Sequence, residues 1–311
     1  MEPDEYMTMQ VKLPDRLQSK PADSSTAAKS LDQPVTVICP AHGWQPINWG
    51  ELWRCRELMY FLVWRNLKTR YKQTVLGGAW AIVQPLATMV VFTAFLGKVA
   101  QARPGLHGED PATPYWLFVF TGMLPWTFFA NTLGMASQSV VSGSNLVTKI
   151  YFPRLIIPVT AGGVPLVDLL VSVGILLVLM LTQGILPGWG LFLAPLFVLG
   201  LMIASLGLGI LFSALAVAYR DVSSVLPFMI QLWMFATPTI YLQNDSIIDP
   251  RWQALLPINP AQGLIINFRQ AMLGGDLDFY ALAISSAVSL LLAVLGCIYF
   301  RRVERTFADI I

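Results

Sequence analysis

Six long apolar blocks, each nearly free of charge, constrain the fold more than any other feature of the sequence. An α-helix needs about 20 apolar residues to cross a hydrocarbon core about 30 Å thick, and each block is about that long or longer. Only 12% of the residues are charged, whereas a soluble domain carries roughly 25%. We therefore predict an all-α membrane protein with six transmembrane helices. The blocks run from Ala79 to Gly97, Tyr115 to Val141, Leu155 to Thr182, Leu191 to Ala218, Val222 to Leu242 and Phe279 to Phe300.

The chain before the first block divides into two segments. Residues 1–34 are polar and lack the apolar core of a secretory signal peptide, so we expect a disordered cytosolic tail. Residues 35–78 form a cytosolic segment that contains a predicted amphipathic interface helix from Glu51 to Val75, and residues 79–311 form the transmembrane domain. The helix is predicted from an apolar stripe with cations beside it. The stripe is Tyr60, Trp64, Leu67, Tyr71 and Val75, and the cations are Arg65, Lys68, Arg70 and Lys72.

The distribution of Lys and Arg predicts the orientation of these helices. With six crossings, 16 of these residues fall in segments on one side of the membrane and 4 on the other. Cytosolic loops carry the excess of positive charge. Both termini are therefore predicted to lie in the cytosol.

The segment from Gln243 to Asp278 is too long and too apolar for an ordinary loop. It contains two short apolar pieces, Trp252 to Ile258 and Ala261 to Leu273, separated by Asn259-Pro260. Neither piece can span a membrane, and irregular backbone at membrane depth needs protein or a water-filled cavity around it. We predict short re-entrant or interfacial helices before the last transmembrane helix.

Two features inside the blocks concern packing. Ser205, Gly209 and Ser213 recur every four residues, which places small side chains on one helix face and permits close helix packing. Asp168 is the only acid deep inside a block, where a carboxylate is costly unless it finds a partner. The sequence position is compatible with a proton-relay role and with a structural hydrogen bond to a neighbouring helix. The lack of a second buried Asp, Glu or Lys favours the structural role.

Several kinds of site find no support in the sequence. The two histidines, His42 and His107, lie outside the apolar blocks, so no metal site is predicted. The three cysteines have no CxxC spacing, and no disulfide framework is expected. The net charge of +2 gives no reason to expect nucleic-acid binding. The sequence contains no GxxxxGK[ST] phosphate-binding loop, so we expect no ATP hydrolysis, no catalytic residue and no cofactor in this chain.

At this point the sequence resembles a known family, the ABC-2 type permeases that export O-antigens, capsules and teichoic acids. Examples of the similar stretches are RELMYFLVWRNLKTRYKQTVLGGAWAIVQPL, from Arg56 to Leu86, and SNLVTKIYFPRLIIPV, from Ser144 to Val159. The others run from Pro114 to Leu133, Ala218 to Tyr241, Ile258 to Gly274 and Tyr299 to Ile311. The six stretches stand in the family's order and cover nearly everything from about residue 35 onward.

The resemblance implies an assembly as well as a function. It implies a homodimer in the bacterial inner membrane, surrounded by membrane lipids and bound to two copies of a separate ATP-binding cassette subunit. That subunit would use ATP and Mg²⁺, and a lipid-linked polysaccharide would leave the cytosol through a channel between the permease copies. The sequence does not specify the glycan or its lipid carrier.

Three groups of residues are candidates for roles in such a transporter. Cations of the interface helix could hold a lipid pyrophosphate at the substrate entrance, or they could serve only as a membrane-surface anchor. The short loop from Ser142 to Arg154 could dock into the ATPase and couple it to the membrane, or it could be a plain helix–helix turn. Aromatic side chains could line a sugar channel, or they could serve as belt and packing residues. The candidates are Arg65, Lys68, Arg70 and Lys72 for the entrance; Lys149, Tyr151, Phe152 and Arg154 for coupling; and Tyr115, Trp116, Phe118, Trp126 and Phe129 for the channel.

Two rival functions remain open on the sequence alone. A permease of the same superfamily could export drugs or lipids, although such proteins often carry a large extracytosolic domain that has no counterpart here. A membrane-embedded glycosyltransferase would need clustered carboxylates or histidines at a membrane face. Past the polar tail, the only adjacent acidic pair is Glu109-Asp110, beside Gly108 and Pro111, which is typical of a loop.

Overall fold

The computed structural model describes residues 49–72, 77–99, 114–144, 152–237, 239 and 255–304, and for residues 49, 51, 52, 77 and 96–99 only the backbone. Every described element in these ranges is helical, which confirms the predicted all-α class. The helices before the long bundle are α1 (Trp49–Arg54), α2 (Arg56–Tyr71) and α3 (Trp80–Val99). The remaining helices are α4 (Tyr115–Ser142), α5 (Ile156–Ala161), α6 (Gly163–Thr182), α7 (Ala194–Ala218), α8 (Val222–Ala236), α9 (Gln262–Leu273) and α10 (Phe279–Val303).

All six apolar blocks contain helix, but they differ in length. Four helical stretches of the described chain are long and apolar enough to cross a membrane: Tyr115–Ser142, Ile156–Thr182, Trp189–Ala218 and Phe279–Val303. Two apolar helices, Trp80–Phe95 and Val222–Ala236, are shorter. The fifth block was predicted to continue to Leu242, but α8 ends at Ala236 because Thr237 is extended. Thr237 precedes Pro238, and a residue before proline is disfavoured in the helical region.

The predicted interface helix differs from its expected form. It is divided at Cys55 into α1 and α2, and α2 ends at Tyr71 because Lys72 is extended. The face that packs against the bundle includes Leu62 and Val63, which lie outside the predicted stripe, and Tyr71, which belongs to it. Tyr60 and Trp64 of that stripe are 65% and 54% exposed in the chain. The prediction that this helix lies on the membrane surface stays a prediction.

Helix α7 lies between α4 and α10, and small residues permit the close approach. A Cβ atom on Gly209 would lie 2.5 Å from the Cβ of Ala136 in α4. A Cβ atom on Gly207 would lie 2.5 Å from the Cα of Ala293 in α10. Ser205 and Ser213 are fully buried, and each hydroxyl donates to a carbonyl of its own helix. The predicted packing role of the Ser205, Gly209 and Ser213 repeat is confirmed.

The second apolar piece of the segment before α10 is the short helix α9, as predicted. Nine of its twelve residues are buried among α4, α7 and α10. The Ser285 hydroxyl of α10 lies 2.9 Å from the carbonyl oxygen of Pro257 and accepts the amide hydrogen of Gly263 at 3.0 Å. Irregular backbone beside α9 is therefore satisfied by protein, which is what membrane depth requires. Residues 252–254 of the first piece lie outside the described residues.

Helices α4, α7 and α10 run in the same direction. Their first halves all contact α9: Phe118 faces Arg269, Gly200 faces Leu264, and Ala281 faces Gly263. Their last turns meet in a second apolar core, which we call the end cluster. It consists of Val140, Leu155, Ile157, Ile210, Ala214, Val217 and Phe300. Because all three helices have their first halves at α9 and their last turns at the end cluster, they are parallel.

Candidate functional site

An ion pair joins the last turn of α2 to α6. The Arg70 Nη2 atom lies 3.1 Å from the Asp168 Oδ2 atom, and the two side chains are 33% and 17% exposed. The Tyr71 hydroxyl donates a hydrogen bond to the other carboxylate oxygen of Asp168. Asp168 thus has a cationic and a neutral donor from one neighbouring helix. These contacts support the structural role predicted for Asp168 and identify its partners, which the sequence reasoning had not named.

The hydroxyl of Tyr71 is a hydrogen-bond donor at any physiological pH. Burial and the hydrogen bond to Asp168 raise the pKa of Tyr71 to about 12, and Asp168's negative charge adds to the shift while Arg70 opposes it. The phenol therefore remains protonated in neutral solution. Tyr71 was predicted to belong to an apolar stripe on the membrane surface, but its polar atom is directed to α6.

The other entrance candidates occupy different surroundings from Arg70. Arg65 donates to the side-chain oxygen of the adjacent Asn66 at 3.3 Å. Lys68 and Lys72 are exposed. Arg70 is already paired with a carboxylate, whereas these three cations contact no acid within the part of the chain that is described. Their role in binding a pyrophosphate stays a prediction.

A cavity that is open to solvent lies beside the Arg70–Asp168 pair and is lined by α2, α3, α4 and α6. We call it the α2–α6 cavity. Near α2 its lining is polar, with Arg70, Tyr71, Asp168, Gln84 and Asn131. Its apolar lining includes Phe120, Met123, Leu124, Phe128 and Leu169.

The channel candidates of α4 divide into two groups. Phe118, Trp126 and Phe129 are buried in the core of the single chain, whereas Tyr115 and Trp116 are half-buried. The Phe129 ring centroid lies 5.6 Å from that of Trp126 and 5.3 Å from that of Trp233 in α8. These contacts show that the rings pack α8 onto α4. A role in a sugar channel stays a prediction.

Arg269 occupies an unexpected position. The predicted orientation places Arg269 among the four extracytosolic cations, but α9 carries it into the core, where its side chain is buried. Its guanidinium carbon lies 4.1 Å from the centre of the Phe118 ring, a cation–π contact. The sequence signal for such a buried site is an arginine within a short apolar helix.

The coupling candidates lie beside the end cluster, as far as they are described. Phe152 packs against the cluster. The Arg154 Nη1 atom donates to the Glu304 carbonyl oxygen at 2.5 Å, and its backbone amide donates to the Glu304 carboxylate at 3.3 Å. Lys149 and Tyr151 lie outside the described residues. Glu304, at the end of α10, tethers this loop, and no pattern in the sequence indicated that contact.

The sequence matches a known transporter family. The family described as ABC-2 type transporter matches residues 57–273, which is more than half of the chain. The chain belongs to the ABC-2 type transporter family. The match confirms the resemblance drawn from the sequence. Among the described residues, no group of His, Cys, Asp and Glu is arranged to hold a metal ion.

The chain is similar to three proteins whose names describe O-antigen export or polysialic acid transport. The O-antigen export system permease protein RfbA of Myxococcus xanthus is 28% identical over 260 residues, which cover 83% of this chain and 97% of the relative. The protein of the same name from Klebsiella pneumoniae is 25% identical, covering 82% and 95%. The polysialic acid transport protein KpsM of Escherichia coli is 24% identical, covering 68% and 79%.

The ABC-2 match includes most of the candidate sites. Residues 57–273 contain the Arg70–Asp168 pair, the lining of the α2–α6 cavity, the coupling loop and Arg269. Helix α10 and Glu304 lie beyond the match. The contact between Arg154 and Glu304 therefore joins a segment within the family match to α10.

Proposed function

We propose that this chain is the permease subunit of an ATP-driven exporter that moves a lipid-linked polysaccharide of the O-antigen kind out of the cytosol across the bacterial inner membrane. Membership of the ABC-2 type transporter family, with alignment to two O-antigen export permeases over 95% and 97% of their lengths, carries the proposal. A capsular polysaccharide is the second candidate substrate. The polysialic acid transport relative favours it, over a smaller part of both chains.

The direction of the helices supports six crossings. Because α4, α7 and α10 are parallel, the chain must return once between each consecutive pair. Helices α5 and α6 supply the first return, and α8 supplies the second. Helix α8 has only 15 residues. At its start the Ser223 carbonyl oxygen accepts a hydrogen bond from Gln138 near the end of α4, and after its end Thr239 is buried against Gly122 in the first half of α4. Helix α3, with 20 residues, is about 30 Å long and supplies the remaining crossing.

Charge at the end cluster supports cytosolic termini. Arg154, Arg301 and Arg302 lie at this end of the bundle, near the turn that contains Arg220. The opposite end contains α9, whose Arg269 is buried. Because cytosolic segments collect positive charge, the end cluster faces the cytosol in our proposal. Phe152 and Arg154 then face the compartment that contains the ATP-binding subunit, which would use the ATP and Mg²⁺.

The exposure of α8 supports a homodimer. Leu226 is the only residue of this helix that is buried within the chain. Phe228, Leu232 and Phe235 are all more than half exposed. A helix so little packed against its own chain needs another surface for support. A second copy of this chain around a two-fold axis would provide it.

Cysteines on α8 should cross-link two copies of the chain. In a background without the three native cysteines, we expect Leu232→Cys or Phe228→Cys to give an oxidant-dependent band at twice the monomer mass, because residues near a two-fold axis meet their own copies. Leu181→Cys, an equally exposed position on α6, serves as the matched control and should stay monomeric. Cross-linking through Leu181 alone would contradict an interface at α8.

Depletion of the chain in its native cell tests the proposed function. We expect the polysaccharide to be made but retained on the cytosolic side, since export and not synthesis is lost. Immunolabelling of intact and permeabilised cells would measure both pools. Complementation by the intact chain should restore surface polysaccharide. Surface polysaccharide that persists after depletion would contradict the proposal, and complete absence of the polymer would indicate a glycosyltransferase.

A further inference from the structure

The α2–α6 cavity combines a charged end with apolar walls. The polar end contains one cation, Arg70, and one anion, Asp168, whose charged atoms are 3.1 Å apart. The lining includes Trp80 and Gln84, which are exposed on α3, so the cavity is accessible from outside the chain.

Apart from the charged pair, Tyr71 and the side-chain amides of Gln84 and Asn131, the cavity offers few hydrogen bonds. The hydroxyl groups of Thr88, Thr127 and Ser172 each donate to a carbonyl oxygen one helical turn earlier in their own helix, at 2.9, 2.7 and 2.8 Å. These side chains therefore have no hydroxyl hydrogen left to donate to a ligand. The remaining wall is formed mainly by apolar side chains, among them Phe120, Leu124 and Leu169. A ligand that fits is polar at one end and hydrocarbon at the other.

Charge complementarity determines which class of polar headgroup can bind at the charged end of the cavity. A pyrophosphate has at least two negative charges, and at this site it would lie next to the Asp168 carboxylate as well as Arg70. Like charges at such a separation repel each other, more strongly where water is partly excluded. A zwitterionic headgroup can match both protein charges at once, and an ammonium with N–H groups can donate to a carboxylate.

We propose that the α2–α6 cavity binds a zwitterionic phospholipid with a primary ammonium, such as phosphatidylethanolamine. Its phosphate lies at Arg70, its ammonium lies at Asp168, and part of an acyl chain lies along Phe120, Leu124 and Leu169. The lipid is a bound component of the membrane domain and is distinct from the exported substrate. The proposal depends on membrane embedding of the chain and not on which molecule it exports.

Native mass spectrometry of the purified chain with defined lipids tests this site. At equal lipid concentration, we expect phosphatidylethanolamine to occupy the protein about tenfold more than phosphatidylcholine, whose quaternary ammonium has no N–H to donate. Phosphatidylglycerol, which lacks the ammonium, should also bind about tenfold less. Equal occupancy by the three lipids would overturn the proposal. Displacement of phosphatidylethanolamine by an equimolar isoprenyl pyrophosphate would overturn it as well.

Matched variants on α3 locate the lipid. Ala81 lines the cavity, whereas Ala87 is exposed on the same helix. Ala81→Leu should fill the cavity and reduce phosphatidylethanolamine occupancy about tenfold, and Ala87→Leu should leave it unchanged. Asp168→Asn should remove the preference over phosphatidylcholine. Unchanged occupancy in Ala81→Leu would overturn the proposal, and if that variant does not fold, the headgroup preference of the unaltered protein still decides. The assay needs neither ATPase nor glycan, so it does not depend on the proposed export function.

Discussion

Replacing Gly207 with alanine should destabilise the membrane domain by about 1–3 kcal/mol or more, the range for overpacking a close-packed core. The new Cβ atom would lie 2.5 Å from the Cα of Ala293 and 2.7 Å from its nitrogen. Both are backbone atoms of α10, so the collision can be relieved only by separating two helices. We expect a lower thermal unfolding temperature of the detergent-solubilised chain and less protein in the membrane.

Gly174→Ala provides the matched control for Gly207. Gly174 lies within α6, and a Cβ atom there would meet nothing within 4 Å. Alanine is favoured over glycine in a helix by about 1 kcal/mol, so this variant should be as stable as the unaltered chain or more stable. The close packing of α7 on α10 would be contradicted if both variants had the same unfolding temperature as the unaltered chain.

Asp168→Asn should loosen α2 from the bundle. The change removes the anion that pairs with Arg70, and a hydrogen bond to a charged group contributes about 1.5–3 kcal/mol. Because a third of the Arg70 side chain is exposed, we expect a loss near the lower end of that range. Hydrogen exchange should accelerate at the amides of α2 and stay unchanged in α10, since local opening affects only the element that loses its contact.

A double-mutant cycle and a control acid make the Asp168 experiment specific. Arg70→Met combined with Asp168→Asn should cost less than the sum of the single changes, because both remove the same pair. Asp221→Asn replaces an exposed acid next to α8 and should change neither stability nor exchange. Strict additivity of Arg70→Met and Asp168→Asn would show that the ion pair contributes nothing.

Much of the bundle could be predicted from the sequence because bilayer thickness dictates helix length. The apolar blocks gave the helices, and the four-residue repeat of Ser205, Gly209 and Ser213 identified the packed face of α7. Positions where contacts far along the chain decide the structure were predicted less well. The end of α8 depends on Pro238 and on the packing of Thr239 against Gly122, and the blocks alone do not show this.

Charged residues of the candidate site were the hardest to predict, because their partners lie far away in sequence. Asp168 and Arg70 are 98 residues apart, and Arg154 and Glu304 are 150 residues apart. Helix periodicity placed Tyr71 in an apolar stripe, yet the tyrosine side chain has an apolar ring and a polar tip that can serve different surroundings. Arg269 was counted with the extracytosolic cations because α9 is too short to span, although its burial follows from packing against α4.

Reconstitution tests most directly whether this chain is a transport pathway without its own energy source. Purified chain would be placed in sealed vesicles that contain a lipid-linked polysaccharide, with and without the ATP-binding cassette subunit. ATP hydrolysis and movement of the polysaccharide across the bilayer would be measured together. We expect both activities with the two proteins and neither with the chain alone. ATP hydrolysis by the chain alone, or no polysaccharide movement when the ATPase is present and active, would contradict the account.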